Sequence, residues 1–120
     1  MKKVVKIGDK EYAMKSSAYT QFKYKNDTGR RMLDDIQKVS KIANMSEEEQ
    51  IAQLDDLIEL LLRMAYIMAE EMDSKQVTTF EDFLKSIEGL FDNIDWVNDV
   101  IELASSPISR GIQGLPQDKQ

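Results

Sequence analysis

The residues best suited to chemistry are missing from this chain. It has no cysteine and no histidine, so disulfides, zinc thiolates and thiol nucleophiles are impossible. The commonest general base and transition-metal ligand is also lacking. Carboxylates remain, but Asp34-Asp35 and Asp55-Asp56 are adjacent pairs. Neighbours on a helix point about 100° apart, so neither pair is a ready acid–base dyad. Asp92-Asn93-Ile94-Asp95 lacks the glycine and closing glutamate of a calcium loop. Gly8-Asp9-Lys10 and the later glycines lack the spacing of a phosphate-binding loop. No catalytic, cofactor-binding or metal-ligating residue is assigned, and the expectation is a protein that is not an enzyme and needs no cofactor.

Two patterns suit binding instead. Tyr19-Thr20-Gln21-Phe22-Lys23-Tyr24-Lys25, near Arg30 and Arg31, interleaves basic and aromatic residues as single-strand nucleic-acid binders do. Those aromatics also sit at helical spacing, where core packing is the commoner use, and the whole protein is acidic. Among the seven methionines, Met32, Met64, Met68 and Met72 could line an adaptable surface for a partner helix. Core filling is the default reading of the same residues.

The elements that would position these residues follow from periodicity. Residues 4–15 read as a β-hairpin turning at Gly8-Asp9. Pairing Ile7 with Lys10 sets Lys6 opposite Glu11, Val5 opposite Tyr12 and Lys3 opposite Met14. Val5, Ile7, Tyr12 and Met14 then share a face that must rest on helices. Ser16 or Ser17 caps a short helix to about Lys25, with Ala18, Tyr19 and Phe22 inward. A second helix, about 30–43, turns Met32, Ile36, Val39 and Ala43 to one side and Asp34, Gln37, Lys38 and Lys41 to the other.

Ser46-Glu47-Glu48-Glu49 is a capping box that opens a long helix to about Met72. Ile51, Leu54, Ile58, Leu61, Ala65, Met68 and Met72 form one stripe; Leu57, Leu60, Met64 and Ile67 form another beside it. Two adjacent stripes suit the middle of a bundle better than a coiled coil. Residues 57–68 are apolar almost all round, yet too few to span a bilayer. Glu59 and Arg63 can pair along the strip left for water.

After a polar break at 73–79, Phe80, Phe83, Leu84, Ile87, Leu90 and Phe91 fall on one arc of a helix, with Glu81, Lys85 and Glu88 away from it. A last helix, starting at Asn93 or Asp95 and running to about Ala104, presents Trp96, Val97, Val100, Ile101 and Ala104. Asp95, Asp99 and Glu102 form its acidic face. The predicted fold is mainly α: an N-terminal β-hairpin, then four to five helices packed round one long central helix. Residues 1–104 form the domain, and residues 105–120, punctuated by Pro107, Gly111, Gly114 and Pro116, form a flexible tail.

Of 120 residues, 42% are hydrophobic and 32% charged, the composition of a globular chain. The net charge of −6 is unevenly placed. Residues 1–45 carry eleven basic against five acidic side chains, and residues 46–120 carry five against seventeen. Either the basic part docks on the acidic remainder or is merely solvated, or it supports weak self-association or a charged partner. With no signal-peptide pattern and no membrane span, the expected compartment is the cytoplasm.

One resemblance adds to this. Ile7-Gly8-Asp9-Lys10-Glu11-Tyr12, Met14-Lys15-Ser16-Ser17-Ala18, Tyr24-Lys25, Thr28-Gly29-Arg30 and Leu33-Asp34-Asp35 resemble the opening of the tail assembly chaperones of long-tailed, non-contractile phages and prophages. That pattern has a short glycine turn, a Lys-Ser-Ala step into a helix, Tyr-Lys, a Phe-Gly pair and Leu-x-Asp. Thr28 stands here where the pattern has Phe. The resemblance covers residues 4–36; beyond them it holds in character alone.

It implies a helical, non-catalytic protein of the host cytoplasm that is absent from the mature virion. Such a protein binds the tape-measure protein and keeps it soluble until tail-tube subunits polymerise. It further implies a frameshifted longer form, recruiting the tail-tube protein through a domain joined by residues 105–120. The partner-binding face is expected at Met64, Met68, Met72, Phe91 and Trp96, with neither nucleic acid nor membrane as partner. The alternative is a small helical regulatory protein, repressor-antagonist or antitoxin-like, that binds a protein or nucleic acid.

Overall fold

The computed structural model describes residues 2–42, 46–90, 92 and 95–113, with side chains outside 42, 47, 51, 54–57 and 107–113. Two strands, β1 (Lys2–Ile7) and β2 (Lys10–Lys15), precede α1 (Ala18–Thr28), α2 (Met32–Ile42) and α3 (Glu47–Met72). A 3-10 turn (Ser74–Gln76), α4 (Phe80–Ser86) and α5 (Asp95–Gln113) complete the order. The long α3 touches β2 and every other helix, so the architecture is a hairpin and helices packed round one central helix. Phe91, Ala43 and the side chains of Ile51, Leu54 and Leu57, each given a place by periodicity, lie outside the described residues.

The hairpin has the register expected, Lys3↔Met14, Val5↔Tyr12, Lys6↔Glu11 and Ile7↔Lys10. Val5, Ile7, Tyr12 and Met14 are all buried, because alternation sends every second side chain to the face that helices cover. Gly8 at the turn has φ 64°, a region that costs L-residues about 1–2 kcal/mol. The turn also rests directly on the chain beyond α4. Asp9 N–H donates to the Glu88 carbonyl at 3.1 Å, and Glu88 N–H donates to Asp9 Oδ1 at 3.4 Å. A Cβ on Gly8 would strike that same carbonyl. Gly8→Ala is therefore expected to cost about 2–3 kcal/mol, measured as a drop in the urea midpoint, because strain and the displaced contact add.

The central helix starts where its capping box predicts: Glu49 N–H donates to the Ser46 hydroxyl at 3.3 Å, and Ser46 N–H donates to the Glu49 carboxylate at 3.2 Å. Leu61, Met64, Ala65, Ile67 and Met68 are buried along it. Arg63 does not pair with Glu59 as the spacing suggested. Its guanidinium lies over the Phe80 ring, 3.7 Å from the centroid, a cation–π contact that also shields the ring. Phe80, Phe83, Tyr66 and Tyr12 form an aromatic cluster, with Tyr12–Phe83 and Tyr66–Phe80 centroids 5.2 and 5.6 Å apart.

Three expectations need correction. The apolar arc 80–91 is not one helix, since α4 ends at Ser86, Ile87 is extended (ψ 126°) and Gly89 turns the chain with φ 71°. Leu84, assigned inward, is partly exposed, whereas Ile87 and Leu90 pack against the core from outside the helix. In α5 the expected face holds, with Trp96, Val100 and Ala104 buried and Val97 and Ile101 packed against the core, and Leu103 joins it. The helix itself continues to Gln113, past the point where its apolar period stops.

The charge asymmetry has a specific counterpart. Lys3 Nζ lies 2.8 Å from Asp99 and 3.6 Å from Glu102, tying the basic strand β1 to the acidic face of α5. The hydrogen bond to Asp99 holds the ammonium above its ordinary pKa. No described helix is long and apolar enough to cross a membrane.

Candidate functional site

Helix α1 turns its apolar side chains the wrong way for a core helix. Ala18, Tyr19 and Phe22, all expected inward, face out; Tyr19 is 56% and Phe22 73% exposed. The buried residues are instead Thr20 and Tyr24. What rotates the helix is a set of polar anchors. The hydroxyls of Ser17 and Thr20 donate to the two oxygens of Glu71 on α3, at 2.5 and 2.6 Å. At the other end, the Tyr24 hydroxyl donates to Asp35 Oδ2 at 2.6 Å. Buried polar groups are tolerated only when partnered in this way.

Asp35 is the centre of the second anchor. It is fully buried on α2 and also accepts from Arg30 through Nε at 2.9 and 3.1 Å and through a terminal nitrogen at 2.6 Å. Lys38 stands 4.0 Å away. Burial alone would push the Asp35 carboxyl up, but the hydrogen bonds from Arg30 and Tyr24 outweigh it and hold the group below its ordinary value. Burial, then the hydrogen bond to Asp35, pushes the Tyr24 hydroxyl far above its own ordinary value. An ionised carboxylate clamped by a guanidinium and a phenol is a poor proton acceptor, so the cluster orders the chain rather than doing acid–base chemistry.

Beside it lies an open cleft of about 270 Å³ lined by Asp27, Thr28, Arg30, Glu59, Leu60 and Arg63. Both signs of charge line it, and its arginines already face Asp35 and Phe80. Among the described residues no group of three or more acidic side chains converges on a metal position.

The expected partner-binding residues fall elsewhere. Met64 and Met68 are completely buried and Trp96 nearly so, its indole N–H donating to the Leu90 carbonyl at 3.1 Å. These three fill the core of the isolated chain instead of forming an open groove. Met72 is half-buried at the end of α3, next to the Glu71 that anchors α1. Phe91 lies outside the described residues.

The outward face of α1 is thus the candidate interaction site: Tyr19 and Phe22, one turn apart, with Lys25 and Asn26 exposed beside them. A signal for it stood in the sequence as the mixed aromatic and basic run 19–25. The sequence alone does not show the helix's phase, because Thr20 counts as an outward polar residue until its bond to Glu71 is seen. Comparison with protein-family models, with curated proteins and with solved structures finds no match to this chain.

Proposed function

We propose that this chain is a non-catalytic interaction protein of the tail-assembly-chaperone type, holding a phage tape-measure protein in solution before tail-tube assembly. The observation that carries the reading is the Tyr19–Phe22 pair, kept out of the core on a helix anchored at both ends. Large apolar side chains presented in this way mark contact surfaces, and aromatic anchors dominate such contacts. The pair also lies inside residues 4–36, which carry the family resemblance. A long helical client would meet it through an apolar helix face. In this reading the protein acts in the host cytoplasm, is absent from the virion, and has a frameshifted longer form that engages the tail-tube protein.

The test is co-expression with the tape-measure protein encoded nearby. The expected result is a soluble complex that is lost, about tenfold or more in yield, when Tyr19 and Phe22 are both replaced by aspartate. The melting temperature of the chain should stay within about 2 °C, because exposed side chains contribute little to stability. A tape-measure protein equally insoluble with and without this chain would overturn the chaperone reading.

A second reading draws on the same face. Tyr19, Phe22 and Lys25 also suit base stacking beside a cation, as a small regulatory protein would use. Binding of single-stranded DNA that weakens steeply with salt, and is lost in the same double variant, would favour it.

A further inference from the structure

The two edges of the β-hairpin are treated differently. On β2, the Gln76 side chain behaves as a third strand would: Ala13 N–H donates to its Oε1 at 2.9 Å, and its Nε2 donates to the Ala13 carbonyl at 2.8 Å. The same Nε2 donates to the Ala69 carbonyl at 3.0 Å, which fixes the amide on α3. Ala13 therefore turns both backbone groups away from β1.

In an antiparallel ladder the residue directly opposite does the same on the other side. That residue is Val4, and by alternation Lys2 and Lys6 share its orientation. Among the described residues nothing pairs with the outward backbone groups of Lys2, Val4 or Lys6. Val4 is 60% exposed, and both lysines are exposed. One edge is covered by a side chain, then, and the other offers free donors and acceptors.

The geometry points to β1 as a docking edge for an extended segment of another protein, added as a third strand next to Val4. Charge selects the occupant. The outward face of the edge reads Lys2, Val4, Lys6, and side chains directly opposite across strands interact. An added strand with acidic, apolar and acidic residues at alternate positions complements that row. A second copy of this chain does not. Two-fold pairing about Val4 would set Lys2 of each copy opposite Lys6 of the other, the like-charge arrangement that guards edges against self-association. Strand addition of this kind takes affinity from main-chain hydrogen bonds and specificity from alternate side chains.

The probe is a short synthetic peptide of alternating glutamate and valine, added to the ¹⁵N-labelled full chain. Saturable shifts of the Lys2, Val4 and Lys6 amide signals are expected, and an alternating lysine–valine peptide should give none. Val4→Pro removes the outward N–H yet leaves the ladder intact, since the N–H of this position does not take part in it. It should weaken binding about tenfold or more with an unchanged far-UV circular dichroism spectrum. Lys2→Glu combined with Lys6→Glu should reverse the preference between the two peptides, which keeps the question open to test even if the proline variant is poorly folded. Shifts centred on Tyr19 and Phe22, no shifts at all, or binding unaffected by Val4→Pro in a folded protein would each overturn the proposal. So would concentration-dependent dimerisation through β1.

Discussion

Replacing Asp35 with alanine is expected to destabilise the fold by about 2–4 kcal/mol, read from urea or thermal unfolding. Removing the buried member of a charged pair does more than delete a contact. Arg30 is partly exposed and can turn to water, but the Tyr24 hydroxyl would lose its acceptor in the core. Domains of this size have roughly 5–15 kcal/mol in total, so the variant would stand near the edge of folding. Asp35→Asn keeps the shape and part of the hydrogen bonding and should fall between the two. The pH dependence has a definite sign. The folded-state pKa of Asp35 lies below the ordinary 3.8, so its stabilisation is complete above that value and is lost as pH falls through the folded one. The stability gap between the parent and Asp35→Asn should accordingly shrink below about pH 4. A gap that widens on acidification would contradict an ionised Asp35.

Trp96→Ala is the second large effect, also about 3–5 kcal/mol. The indole is almost wholly buried and its N–H is bonded to Leu90, so truncation opens a cavity and leaves a carbonyl without its donor. Trp96→Phe, which retains most of the ring volume, should cost distinctly less. As the chain holds a single tryptophan, its fluorescence in the native protein should be blue-shifted and move to the red on unfolding. A Trp96→Ala variant that melts like the parent would contradict the interior role that the burial of this residue assigns.

How far the chain could be read in advance depended on whether a signal was local. The hairpin register was legible because a two-residue turn and strict alternation leave one pairing that buries Val5, Ile7, Tyr12 and Met14 together. The start of α3 was legible because the capping box is complete within Ser46–Glu49. The phase of α1 was not, since it is set by Glu71 and Asp35, acidic residues on two other helices. Apolar spacing favoured Tyr19 and Phe22 inward, but tertiary hydrogen bonds from Thr20 and Tyr24 prevailed. The early end of α4 had a local sign in Gly89, which the apolar spacing of Ile87 and Leu90 obscured. Asp35 carried no such sign: next to Asp34, it differs only in the direction the helix points it. Nor did Gln76, whose role exists only because the edge of β2 passes it.

The contacts that clasp the first strand to the last third of the chain bear on how this protein emerges from a ribosome. Lys3 meets Asp99, 96 positions away, and the hairpin tip meets Glu88. Contacts so distant in sequence close large loops and form late. The hairpin can turn as soon as it is synthesised, but its apolar face stays incompletely covered until α5 has been made. At translation rates of about 5–20 residues per second, that interval lasts several seconds. During it, the lysines of β1 and β2 lie on the same strands as the uncovered face, and their charge opposes premature association with other nascent chains.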